Sequence, residues 1–217
     1  MLSERGQWLP FALLAGGALL MGALFLHLGS EIAEGETHGF DAYVLGVGHA
    51  LRAAHPWIAE VMRDLSGLGS TVALALVTLG ACGYLAVTRS WGTAAIVAAA
   101  VVSGAVAVML FKAGFARTRP DSRLAQIVVD GASYPSGHSS MAAVVYLTLG
   151  ALIARMRERW VEKAYILAAA ASLAVLVGVS RAAMGVHWAT DVAGGWALGV
   201  AWAAACMFAV RWADRRA

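Results

Sequence analysis

Charge is what this sequence has least of. Lys, Arg, Asp and Glu make up 13% of the 217 residues, about half of the ~25% found in soluble domains. So few ionic groups cannot cover a water-facing surface, which argues against a soluble globular protein. Cysteine is scarce too: Cys82 and Cys206 both fall within apolar runs. They read as small apolar packing residues and say nothing about redox compartment. Linkers and low-complexity segments are missing, so the chain reads as one domain over residues 1–217. The net charge of +3 forms no basic patch, which speaks against a nucleic-acid partner.

What remains is hydrophobic, at 60% of residues. Six stretches approach the ~20 residues that a bilayer core requires. They run over Trp8–Leu28, Ser70–Thr88, Trp91–Phe111, His138–Ala154, Ala164–Ser180 and Trp188–Val210. Within them the only ionisable Asp, Glu, Lys, Arg or His residues are His27, His138 and Asp191. The first run is too long for a signal-peptide core and lacks a clean small-x-small cleavage site, so it reads as a retained anchor. Sorting basic residues by loop gives an orientation. Arg5, Arg89, Arg155, Arg157, Arg159, Lys163, Arg211, Arg215 and Arg216 share one side; Arg52, Arg63, Lys112, Arg117, Arg119, Arg123 and Arg181 share the other. The richer side is expected to be cytoplasmic, with both termini inside.

Two external loops are long. In the first, Gly29 to Gly69, Trp57, Val61 and Leu65 recur every four residues, with Glu60, Arg63 and Asp64 on other faces. That pattern predicts a short amphipathic helix at the interface, serving either as a packed cap or as a lateral gate. The spacing alone does not separate the two.

The second long loop and a short one hold the polar chemistry, in three pieces. Lys112 and Arg119 lie seven residues apart. Two turns of continuing helix would put both cations on one side, about 10 Å apart, while Pro120 pushes Arg119 toward extended backbone. A snorkelling pair at a membrane interface would look the same. Pro135-Ser136-Gly137-His138 opens an apolar run, as a helix N-terminus does. Such an end binds anions, with Gly137 permitting close approach and His138 in the first turn; a plain cap with an interfacial histidine is the alternative. Arg181, His187 and Asp191 form the third piece. The i, i+4 spacing puts Asp191 beside His187, where it can fix the tautomer and free one ring nitrogen. A structural pair or a metal site would share that spacing, but the ligand set is thin for a metal. Arg117 and Arg123 read as solvated loop charges.

All three pieces fall on one side of the membrane by loop charge alone. Together they supply three cations, a helix N-terminus, a nucleophile with an orienter and a proton donor, an inventory suited to phosphoryl transfer. The patterns K-x6-RP at Lys112 to Pro120, PSGH at Pro135 to His138 and SR-x5-H-x3-D at Ser180 to Asp191 resemble the three signature motifs of the type 2 phosphatidic acid phosphatase family, also called PAP2 or lipid phosphate phosphatases. The resemblance covers the core from about Ser70, with the motif-bearing part over residues 70–211. It implies an all-α bundle of six membrane helices, of the type shared with vanadium haloperoxidases. It further implies His187 as a nucleophile forming a phosphohistidine, oriented by Asp191, with His138 protonating the leaving oxygen. Lys112, Arg119, Arg181, the Ser136 hydroxyl and the Gly137 N–H would bind the phosphoryl oxygens, with no metal or other cofactor. The expected partner is a lipid phosphate such as phosphatidylglycerol phosphate, phosphatidic acid or undecaprenyl diphosphate. A lipid phosphotransferase, or a transport protein with a relict site, is the alternative.

Overall fold

The apolar runs are helices in the computed structural model, which describes residues 4–216 of the chain, with side chains from Trp8 onward. In order these are α1 (Glu4–Glu34), α2 (His38–Ala54), α3 (Pro56–Gly67), α4 (Thr71–Val87), α5 (Trp91–Phe115), α6 (Gly137–Arg155), α7 (Trp160–Ala183) and α8 (Ala189–Asp214). The described residues contain no strand. Six stretches are long and apolar enough to cross a membrane, with Pro56–Val87 counted as one of them. The expected cytoplasmic termini, Met1 and Ala217, lie outside the described residues.

Local chemistry sets the boundaries. Pro56 sits at the start of α3, where its missing N–H costs nothing. Ser70 caps α4 by accepting from the Ala73 N–H at 3.2 Å. Leu19, Leu20, Leu76, Leu79 and Leu110 are each at least 65% exposed, a surface that is stable only against lipid.

The first external loop differs from expectation. α1 runs on to Glu34, and residues 38–67 form two helices rather than a loop with one short helix. Phe40, Val44, Val47 and Leu51 repeat at helical spacing, and that apolar stripe is what makes α2 a helix. The expected amphipathic helix is present as α3, and its polar groups tie it to the bundle. Ser66 accepts a hydrogen bond from Arg181 at 2.7 Å, and the Ala59 carbonyl accepts one from Gln126 at 3.0 Å.

Close approach of α8 to α6 positions the polar end of the bundle. A Cβ on Gly195 would stand 2.9 Å from the Ser136 carbonyl, and one on Gly199 would stand 2.6 Å from the Ser140 carbonyl. Only glycine at these positions lets the two backbones meet. α1 closes the other side: Phe25 stacks on the buried Tyr134 ring at 5.3 Å, and the Tyr134 hydroxyl donates to the Phe25 carbonyl at 2.6 Å.

Candidate active site

The N-terminus of α6 and the start of α8 meet through the backbone. Ser136 caps α6, its hydroxyl oxygen accepting from the Ser139 N–H at 3.5 Å and from the Ser139 hydroxyl at 2.9 Å, while its own N–H donates to the Asp191 carbonyl at 3.0 Å. This bond joins the second and third sequence pieces. Gly137 and His138 follow in the first turn, half-buried, and a Cβ on Gly137 would meet nothing closer than 3.8 Å. Gly137 thus leaves its backbone uncovered by a side chain, at a helix end that favours negative charge.

His187 and Asp191 meet as expected, but not on one helix: His187 lies just before α8, which begins at Ala189 after the cap residue Trp188. His187 Nδ1 lies 3.3 Å from Asp191 Oδ2. The same oxygen accepts from the Trp188 N–H at 2.9 Å and from the Ser133 hydroxyl. A carboxylate so surrounded by donors is an acceptor only, which places the imidazole proton on Nδ1 and leaves Nε2 unprotonated. Nε2 faces Arg119, whose Nη1 donates to it at 3.2 Å. Burial pushes the His187 pKa down to about 4. The hydrogen bond and charge of Asp191 oppose that shift, and Arg119 and Lys112 add to it. The imidazole is thus neutral at neutral pH.

The three expected cations converge here, though by a different route from the one the spacing suggested. α5 does not continue to Arg119. It ends at Phe115, with Ala116 in left-handed backbone (φ 46), so the two-turn helical geometry does not apply. The loop folds back instead. Lys112 Nζ donates to the Ala132 carbonyl at 2.6 Å. Arg119 donates to the Gly131 and Val186 carbonyls at 2.9 and 2.8 Å. Burial lowers the Arg119 pKa, while the Asp191 and Asp130 charges push it back up. Arg181 is buried, and its Nε has no hydrogen-bond partner within the protein. An orphaned guanidinium donor beside two other cations is suited to an oxyanion.

One expectation needs correction. Arg123 is exposed, but Arg117 is not a solvated loop charge: its side chain is 10% exposed and bridges two buried carboxylates. Nη1 donates to Asp191 Oδ1 at 2.5 Å, and Nη2 donates to Asp41 Oδ2 at 2.6 Å. Asp41, from the first turn of α2, also accepts from the Thr190 N–H at 3.0 Å and the Thr190 hydroxyl at 2.7 Å. The two acids draw Arg117 inward, because a buried carboxylate needs a charged partner. Sequence reasoning missed Arg117, Asp41, Thr190 and Ser133. A lone Asp in the first turn of the α2 apolar stripe was the available signal for Asp41.

Beside Gly137 and His138 lies an apolar cavity of about 400 Å³, walled by Leu74, Val101, Val108 and Met141 from α4, α5 and α6. Among the described residues no group of three or more His, Cys, Asp or Glu side chains is placed to hold a metal.

The chain is similar to known proteins over most of its length. The PAP2 superfamily model matches residues 91–215. Phosphatidylglycerophosphatase B of Bacillus subtilis (strain 168) is 31% identical over 183 residues, covering 81% of this chain and 86% of that protein. The crystal structure of a transmembrane PAP2 type phosphatidylglycerolphosphate phosphatase from Bacillus subtilis superposes with a TM-score of 0.79 at 27% identity, over 92% of this chain and 96% of that one. Aquifex aeolicus LpxE shares the fold, with a TM-score of 0.58 at 23% identity over 75% of this chain and 93% of its own.

Proposed function

The chain belongs to the PAP2 superfamily, as an integral membrane lipid phosphatase, and from that premise we propose that it dephosphorylates a glycerol-based lipid phosphate through a phosphohistidine on His187. Phosphatidylglycerol phosphate is the first substrate to expect, because the similar Bacillus subtilis protein is named for it. The observation that carries the reading is Arg119 held 3.2 Å from the neutral Nε2 of His187, with Lys112 and Arg181 close enough to Arg119 for their charges to interact. Those cations, with the Ser136 hydroxyl and the Gly137 N–H, receive the phosphoryl oxygens. The lipid tails take the apolar cavity beside Gly137.

In the reaction, Nε2 attacks phosphorus and the bond to the lipid oxygen breaks. His138, which takes up a proton as the dianionic phosphate enters among the cations, gives that oxygen its proton. The imidazolium formed at His187 is stabilised through Nδ1–H by Asp191. His138, now neutral, takes a proton from water, which attacks the phosphohistidine and releases inorganic phosphate. The three cations neutralise charge throughout, so no metal is assigned a part. Arg117 and Asp41 act as positioning residues, holding Asp191 in place through a salt bridge. Loop charge supports an external site, with the poorer basic side facing out.

Phosphate release by the purified protein across glycerol-based, isoprenoid and sphingoid phosphates tests this reading, with and without chelator. The expected result is preference for phosphatidylglycerol phosphate and full activity in EDTA. Inhibition by EDTA that a divalent metal reverses would overturn the metal-free mechanism. Radiolabel from the substrate should appear as free phosphate rather than on a second lipid.

A further inference from the structure

The opposite end of the bundle holds a second feature built for negative charge. α6 carries Gly137 at the phosphate end and Arg155 at the other, 18 residues later. At 1.5 Å per residue that is about 27 Å, close to the ~30 Å of a hydrocarbon core. There a groove of about 300 Å³ opens between α1, α6, α7 and α8. Arg155, Lys163 and Arg211 line it, over apolar walls that include Leu13, Leu167 and Met207.

Positive residues at this end are expected from loop charge alone, so their pairing decides whether the groove is more than that. Arg155 is tied to Asp214 at 2.9 Å. Nearby, Arg215 lies over the Trp8 and Phe11 rings at 4.5 and 4.4 Å, and Arg216 over Trp212 at 4.8 Å. Arg159 pairs with Glu162 at 3.8 Å. Lys163 and Arg211, both half-buried, have neither an acid nor a ring among the described residues, and no acidic side chain lines the groove. Leu13 and Leu167 are 66% and 42% exposed, so the groove is continuous with the lipid-facing surface. Unpaired cations at headgroup depth above an exposed apolar wall match one occupant: an anionic headgroup with its acyl chain along the helices.

We propose that this groove is a binding site for an anionic phospholipid of the leaflet opposite the phosphate site, with Lys163 and Arg211 holding its phosphodiester. The site is separate from the reacting centre and does not depend on which lipid is hydrolysed. Native mass spectrometry of the detergent-solubilised protein, titrated with phosphatidylglycerol or phosphatidylcholine, tests it. Wild type should retain phosphatidylglycerol over phosphatidylcholine. The double variant K163Q/R211Q should weaken retention roughly thirty-fold, each basic group contributing a similar factor. R157Q/R159Q removes the same charge from the same end but outside the groove, and should leave retention unchanged. Phosphate release in detergent by both double variants, at the wild-type rate, confirms intact folding. Equal losses in the two variants would mean general surface attraction and would overturn the site. So would equal retention of phosphatidylcholine, or displacement of the lipid by inorganic phosphate at matching concentration.

Discussion

The two ends of the bundle treat arginine in opposite ways. At the phosphate end Arg117, 10% exposed, spends its guanidinium on Asp41 and Asp191. At the far end Arg211 and Lys163 line a groove with no acid beside them. The difference separates charges that organise a protein from charges that wait for a ligand. Arg117 cannot reach a substrate without abandoning two buried carboxylates. Arg181, with an unpartnered Nε, belongs with the waiting kind, although it stands at the organised end.

Removing the nucleophile should break the phosphate end most completely. His187→Ala is expected to lower phosphate release by roughly 10⁴-fold or more, as loss of a nucleophile does elsewhere, with the protein still folded and monodisperse in detergent. Retained activity would leave the site without its central role.

The next effect separates organising from binding. Arg117→Ala strands Asp41 and Asp191 and should destabilise by about 3–5 kcal/mol, read as a lowered thermal midpoint. Asp41→Asn is milder. It should reduce kcat by about 10–100-fold, the usual cost of losing an outer partner of a working group, with KM nearly unchanged. A rise in KM at constant kcat would instead make Arg117 a substrate ligand.

Acidification gives a smaller and graded test. The His187 pKa in the fold is about 4, below the ordinary ~6.5 of the unfolded chain. The unfolded state therefore binds the proton more readily. The stability gained by keeping His187 neutral is complete above pH 6.5 and drains away as pH falls toward 4. Thermal midpoints measured across that window should fall for wild type and fall less steeply for His187→Gln. Parallel profiles would show that His187 is not held neutral.

Much of this was legible in the sequence, for reasons that differ by element. Spans such as Trp91–Phe111 and His138–Ala154 are set by apolar length, which a single chain displays directly. The pair His187 and Asp191 was legible because four residues keep it local, although the capping bond from the Trp188 N–H to Asp191, rather than a shared helix face, brings the two together. Arg117 was not, since its partner Asp41 lies 76 residues away and nothing local distinguishes it from Arg123. The route of Lys112 and Arg119 was misjudged because the left-handed turn at Ala116 falls on a residue type that gives no warning. α2 was missed although Phe40, Val44, Val47 and Leu51 marked it, because its apolar stripe is short and was read as part of the loop between spans.

The central claim is a covalent one, and trapping the intermediate tests it most directly. Lipid labelled in its terminal phosphate is mixed with the enzyme, quenched within one turnover under alkaline conditions and digested. The account predicts base-stable, acid-labile label on the peptide containing His187, absent from His187→Ala. Turnover with no labelled protein, or label on a different residue, would contradict it.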